Sequence, residues 1–527
     1  MVDLGPWAVL LALAGLVGVG LVPTRRADAA PAAMARAAVL AAAGALAAAV
    51  LAAGALVVSG TALTAGVGGP YGIGIGARID ALSAIMVVLV GFIGLVVMAY
   101  SRTYLTGERR QGRFFKWLSL TLAAVLGLIV ATNLAQLALA WIATSLCLHR
   151  LLVFFPDRPA ARLAARKKAV VSRMGDVAML AVVGLTLAVF GSLDFAVVFP
   201  AAQAMAGAEV PGAVTAIAVL LALAALIKSA QMPVHGWLTE VMETPTPVSA
   251  LLHAGIINAG GFLILRLSDV VSLSGGALLL LAVVGGVTAL FASLVMLTQS
   301  AVKGALAWST IAQMGFMLLQ CGLGAFGAAL LHIVAHSLYK AHAFLSAGSI
   351  VDLTRATAGV GAGEPARPWH LAGALAAAVA LTAGAATLVG TGPGGNPGAF
   401  VLGAVLVMGL AHMMTRTGGA GAFRPAAALR GLGLGAVLAV VYFVLQSGTA
   451  WLASDALAAT GAPLGGGLIA GVMIGGFGAV LLLQTAVVTG QTPQSLRVLY
   501  VHLLNGLYLN TLFNRLVARA WPVTKGA

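Results

Sequence analysis

The chain has 527 residues, 61% of them hydrophobic and only 8% charged. A soluble domain carries about 25% charged residues, so this composition excludes a water-facing globular enzyme and requires an integral membrane protein. The net charge of +15 sits in short segments between apolar runs, where membrane topology accounts for it better than nucleic-acid binding does.

Apolar runs of about 20 residues predict helices; barrel strands would alternate in runs of about 10. The 67 glycines suit close helix packing in lipid. The expected class is all-α, with about fifteen membrane spans. They fall near 4–22, 37–59, 81–100, 116–132, 134–154, 170–193, 211–230, 246–267, 274–299, 304–322, 327–350, 369–390, 398–415, 431–452 and 465–489. The first run has only Asp3 as a charge before it, so it reads as a retained helix and not a signal peptide.

Basic residues mark alternate loops: Arg25, Arg26 and Arg36; then Arg102 to Lys116; then Arg150 and Arg158 to Lys168; then Arg416 to Arg430; and finally the tail. The positive-inside rule places the N-terminus outside and the C-terminus in the cytoplasm, in an inner (cytoplasmic) membrane. The loop at 231–244 breaks the pattern, with Glu240 and Glu243 and no lysine or arginine. It serves proton uptake or is neutral to topology. The glycine run at 66–76 is not a dinucleotide fingerprint, since no strand and helix are expected to flank it. Cys147 and Cys321 lie in apolar runs without metal-ligand spacing. The stretch Ser495 to Trp521 reads as an amphipathic helix on the membrane surface or against a partner.

Two stretches carry candidate chemistry. In ALIKSAQMPVHGWLTEVMETPTPVSALLHAG, Lys228 ends one apolar run and His253 lies inside the next, with Pro233, Pro245 and Pro247 between them. Proline interrupts helices, and broken membrane helices occur where they line a cavity. Lys228 is a snorkelling lysine or a proton carrier, and His253 a satisfied core histidine or a relay group. In HIVAHSLYKAH, His332, His336 and Lys340 repeat every four residues, which stacks them in a file about 12 Å long. A histidine file in a membrane helix reads as a proton wire. A zinc site would need a third ligand, and Ile333 stands where a metalloprotease motif has glutamate. Lys303 is a loop residue or a link between the stretches. Asp176 pairs locally with Arg173 at a spacing of three. With Glu240, His342 and His412 it completes the accessory candidates. No metal site and no cofactor is expected in this chain.

These residues carry a resemblance. The Lys228–His253 stretch resembles the antiporter-like membrane subunits of respiratory complex I and of Mrp cation/proton antiporters. The likeness extends through IDALSAIM, RFFKWLSL, VVSRMGDVAML, VKGALAWSTIAQMGFM and HSLYKAHAFLSAGSIVD, over roughly residues 78 to 352. It implies an antiporter-like fold with broken helices and inverted repeats. It also places Lys228, His253, His332, His336 and Lys340 on the family's proton path. The implied organisation is 1–110 as N-terminal helices, 111–267 and 268–420 as two antiporter-like bundles, and 421–527 as C-terminal helices and tail. Two departures stand out. Trp141 is followed by Ile142 where the family has a glutamate, and the stretch from Ala385 to Pro397, where a later broken helix is expected, carries no lysine. The stretch TSLCLHRLLVFFPDRPAARLAARKKAVVSRMGD is similar to the DabB branch of the family, the membrane subunits of inorganic-carbon accumulation complexes. That resemblance implies a DabA-like, zinc carbonic-anhydrase partner and a flow of H+, or of Na+, that drives CO2 and bicarbonate uptake. An Mrp- or complex I-type antiporter subunit is the alternative.

Overall fold

The computed structural model describes residues 4–349, 368–390, 397–417, 425–458, 465–488 and 494–520. Helices α1 (Leu4–Leu21) and α2 (Pro31–Ser59) pack against each other. They lead into a two-stranded antiparallel hairpin, β1 (Leu63–Gly68) and β2 (Gly74–Ile79), with Leu63 opposite Ile79 and Gly68 opposite Gly74. The glycine run is thus itself part of a small sheet where no strand was expected, within a fold that is otherwise all-α among the described residues. Its turn needs Gly72, whose φ of +73° is left-handed. The hairpin is held from outside. Gln136 accepts from Gly76 N (3.0 Å) and donates to Gly76 O (2.8 Å), and Asn133 donates to Gly74 O (3.0 Å).

Helix α3 (Ala81–Tyr104) starts at a capping box in which Asp80 accepts from Ser83 N and Ser83 Oγ accepts from Asp80 N. Then come α4 (Gln111–Ile129), α5 (Leu134–Leu152), α6 (Pro159–Phe190) and α7 (Gly212–Lys228). Helix α6 corrects the expected boundary. Arg162, Arg166, Lys167 and Lys168 lie in its first turns and not in a loop, because Pro159 starts a run of alanine, arginine and lysine that favours helix. Lys167 and Lys168 are buried.

The expected interruption is present. Beyond α7 and the short helix Gly236–Glu240, the next span divides into α8 (Thr246–Ala254) and α9 (Ala259–Arg266), with Gly255 to Asn258 between them outside the α-helical pattern. Pro245 precedes α8 and Pro247 lies in its first turn, where a missing amide hydrogen is harmless. This broken helix is wholly buried. Its end is pinned by Arg266, which donates from both terminal nitrogens to Asp80 (2.5 and 3.1 Å). Burial alone would raise the Asp80 carboxyl, but the Arg266 and Arg78 guanidinium groups and the Ser83 amide hold it well below the usual carboxylate range.

Helices α10 (Gly275–Met296) and α11 (Val302–Gly322) form the closest pair, followed by α12 (Phe326–Leu345). Glycine permits the approach: a Cβ at Gly322 would lie 2.3 Å from Ala282 N. The chain continues as α13 (Pro368–Val389), α14 (Pro397–Thr417), α15 (Pro425–Leu452), α16 (Gly466–Val488), α17 (Gln494–Leu504) and α18 (Leu509–Ala520). Residues 391–396, inside the stretch Ala385 to Pro397, lie outside the described residues.

Among the described residues, eleven helices are long and apolar enough to cross a membrane, counting α8 and α9 as one. The remaining predicted spans fall on α7, α11, α12 and α14. The predicted amphipathic tail is two helices, and α18 lies against this chain's own middle: Asn510 and Asn514 donate to Glu240 Oε1 (2.7 and 2.6 Å).

Candidate ion path

Two clusters flank the broken helix. In the first, Lys228 ends α7 with its Nζ 3.4 Å from Trp141 O and 4.3 Å from the centre of the Trp141 ring. Such contacts hold a cation by carbonyl and π-face electrostatics. Trp141, Ser145, Lys168, Asp176 and Lys228 line one cavity of about 20 Å³, room for about one water. Arg173 sits 2.6 Å from Asp176, as the spacing of three predicts. The structure adds that Asp176 also faces Lys228 and interacts with it electrostatically. Where Ile142 offers no carboxylate, Asp176 is the acid of this cluster.

Lys168 is the residue that sequence reasoning missed. It is buried in the same cavity and donates to both Ser145 O and Ser145 Oγ at 2.7 Å. Its spacing from Asp176, two helical turns through Ser172, was the available signal.

The second cluster is reached through the interrupted helix. Ser229 Oγ donates to Ile257 O (3.2 Å), inside the break, and Asn258 Nδ2 donates to Ser337 Oγ on α12 (2.8 Å). His253 Nδ1 lies 3.0 Å from Thr310 Oγ1, Thr310 Oγ1 donates to Leu306 O (3.0 Å), and Lys340 Nζ donates to the same carbonyl (3.1 Å). With the Thr310 proton on Leu306, Nδ1–H of His253 is the donor to Thr310. His253, Thr310, Leu306 and Lys340 are therefore one hydrogen-bonded chain across three helices. The His253 ring also stacks on Phe344, with centroids 4.4 Å apart. His336 and His332 follow Lys340 along α12, their rings 6.0 Å apart. Among the described residues no third ligand joins them in a possible metal site.

Lys303 donates to Thr246 Oγ1 (2.9 Å), which ties the start of α11 to the start of α8. It is at the edge of the second cluster and not between the two. Glu240 belongs to neither. It lies 3.3 Å from Lys167 Nζ and accepts from Asn510 and Asn514, so it anchors α18. His342 is exposed at the end of α12, and His412 on α14 lies 3.5 Å from Gln484 Nε2, apart from both clusters.

Known proteins share this architecture. Residues 131–391 match the family described as NADH:quinone oxidoreductase/Mrp antiporter, TM, and residues 67–115 match NADH-Ubiquinone oxidoreductase (complex I), chain 5 N-terminus. The chain is 40% identical over 462 residues to the probable inorganic carbon transporter subunit DabB2 of Halothiobacillus neapolitanus, covering 87% of this chain and 83% of that protein. The chain belongs to the DabB family of antiporter-like membrane subunits. The probable inorganic carbon transporter subunit DabB of Hydrogenovibrio crunogenus is 39% identical over 388 residues, covering 72% of this chain and 71% of that protein. The fold matches a chain in the structure of the Mrp complex from Dietzia sp. DQ12-45-1b, with a TM-score of 0.65 and 25% identity. That match covers 98% of this chain and 60% of the Mrp chain. The antiporter-like fold expected from the sequence is thereby established.

Proposed function

We propose that this chain conducts protons through Lys228, His253, Lys340, His336 and His332, with Lys303 at the edge, and couples their flow to inorganic-carbon uptake by a separate carbonic-anhydrase-like subunit. The observation that carries the reading is that Lys340 and, through Thr310, His253 converge on the one Leu306 carbonyl, which holds these two titratable groups close together inside the bundle. Ionisable side chains at membrane depth face the interior and mark ion routes, and these contacts bring two of them together across α8, α11 and α12. Asp176 takes the part of the carboxylate absent at Ile142. The named DabB relatives supply the inorganic-carbon context.

In this reading the catalytic zinc belongs to the partner, DabA-like in kind. The present chain is a transporter subunit of a hetero-oligomer in the cytoplasmic membrane, with its C-terminus on the cytoplasmic side. The test is to purify the tagged chain from its native membrane in mild detergent, identify what co-purifies and assay zinc. One large zinc-containing partner supports the reading. A set of other antiporter-like membrane subunits without zinc supports a second reading, cation/proton exchange, which the Mrp match favours. Lys228→Ala and Lys340→Ala complexes that assemble yet retain full uptake would sink the conduction claim.

A further inference from the structure

Helix α4 packs on α1 and on α5, yet it keeps one narrow face clear of protein. Between Phe114 and Ile129 only Lys116, Trp117, Leu120, Ala124 and Gly127 are not buried. Steps of three and four residues from Trp117 to Gly127 put these side chains on one side of the helix. The strip narrows to small residues, and an added Cβ at Gly127 would meet no heavy atom within 4 Å. On α5 the exposed residues are Leu139, Leu146 and Arg150, which also share one side. Each face is apolar along its length and basic at one end.

The two basic ends meet at one ring. Arg150 Cζ lies 5.5 Å and Lys116 Nζ 5.7 Å from the centre of Trp117. Lys116 also donates to Val22 O (2.9 Å), just past the end of α1. Asp28 is already engaged, accepting from the backbone amide (2.7 Å) and the guanidinium (3.1 Å) of Arg113. Among the described residues no carboxylate pairs with Lys116 or Arg150. Tryptophan beside lysine and arginine marks the level of the lipid headgroups. Two positive charges therefore stand at that level without an anion of the protein's own. From Trp117 to Gly127 the strip rises about 15 Å, half of a hydrocarbon core about 30 Å thick, which is the depth of one leaflet.

We propose that this surface binds an anionic phospholipid, its headgroup phosphate held by Lys116 and Arg150 beside Trp117 and an acyl chain laid along Leu120, Ala124 and Gly127. Arginine offers phosphate oxygens two parallel N–H donors, and lysine adds a point charge. Charge selects an anionic headgroup over a zwitterionic one, whose own ammonium would sit beside two cations. An acidic protein segment would match the cations but leave the apolar strip above them uncovered. The inference does not depend on proton conduction.

The test is native mass spectrometry of the intact complex in mild detergent, titrated with phosphatidylglycerol or with phosphatidylcholine. The unsubstituted complex should retain phosphatidylglycerol in preference to phosphatidylcholine. Lys116→Gln with Arg150→Gln should bind phosphatidylglycerol about tenfold more weakly, while Lys116→Arg with Arg150→Lys should keep it. Gly127→Leu fills the strip, leaves both charges in place and should also weaken binding. Arg109→Gln removes an exposed arginine just before α4 and should change nothing. An equal loss with Arg109→Gln would mean diffuse attraction to the whole basic end and would overturn the site. Equal retention of the two lipids, or unchanged binding in Gly127→Leu, would overturn it as well. If no lipid is retained and the glutamine variants instead shed a partner subunit, the surface is a protein contact and the proposal fails.

Discussion

The two basic clusters keep charge inside a membrane by different means. Around Lys228 the space is about 20 Å³ and protein groups take up the charge: Lys168 on Ser145, Asp176 on Arg173, Lys228 on the Trp141 carbonyl and ring. Around the histidine file the space is about 640 Å³, and His332, His336, Gln320 and Tyr442 present unpartnered atoms to it. A fixed set of partners defines where a charge rests, and a set of orphans needs a mobile partner. The two clusters therefore differ in whether their ionisable groups are satisfied by fixed protein partners.

Substitutions can break that contrast. The largest effect is expected for Lys340→Ala, which removes the group joining the hydrogen-bonded chain to the file. Proton flux in liposomes should fall by about 10²–10⁴, the usual worth of a positioned proton-transfer group. Asp176→Asn should slow flux by about 10², and adding Ile142→Glu should restore part of it, since position 142, next to Trp141, is where the family resemblance expects a carboxylate. Failure of that rescue would show that Asp176 acts through Arg173 alone. Thr310→Val keeps the shape but cuts the link between His253 and Lys340, for an expected loss of about tenfold, or about 1.4 kcal/mol; unchanged flux would mean protons bypass Thr310. Asn514→Ala lies outside both clusters. It should lower the thermal stability of the purified complex by about 1.5–3 kcal/mol, the range for a hydrogen bond to a charged group, with flux little changed.

The smallest expected effect concerns pH. A depressed carboxylate pKa stabilises the fold above the unfolded value and is lost as pH falls toward the folded one. The Asp80–Arg266 pair should therefore contribute the same stability at every pH from 5 to 8, well above about 3.9. A difference in melting temperature between unsubstituted and Asp80→Asn complexes that varied over this range would contradict it.

Much of this arrangement was legible in the residues. Prolines at 233, 245 and 247 marked the interrupted helix, and the four-residue repeat from His332 to Lys340 marked the file, because both follow from local backbone geometry. Lys168 was not legible as a site residue. In the run from Arg158 to Lys168 it looks like any topology-setting cation, and only the packing of α6 against α5 and α7 buries it. Asp176 was half legible: its pairing with Arg173 is local, but its sharing of a cavity with Lys228 is not. The partners of Glu240 lie 270 and 274 residues along the chain, beyond any spacing rule. The hairpin at 63–79 escaped because its glycines erase the alternation that marks a strand.

That distance gives Glu240 and Lys167 a consequence for how the protein is made. Both are laid down well before Asn510 and Asn514, so through most of synthesis a buried lysine and its carboxylate wait for neighbours that do not yet exist. The middle of the bundle is finished only when α18 emerges. A chain released before Asn510 would carry every proposed path residue and still lack the contacts that close around Glu240, which makes the docking of α18 a natural checkpoint in assembly.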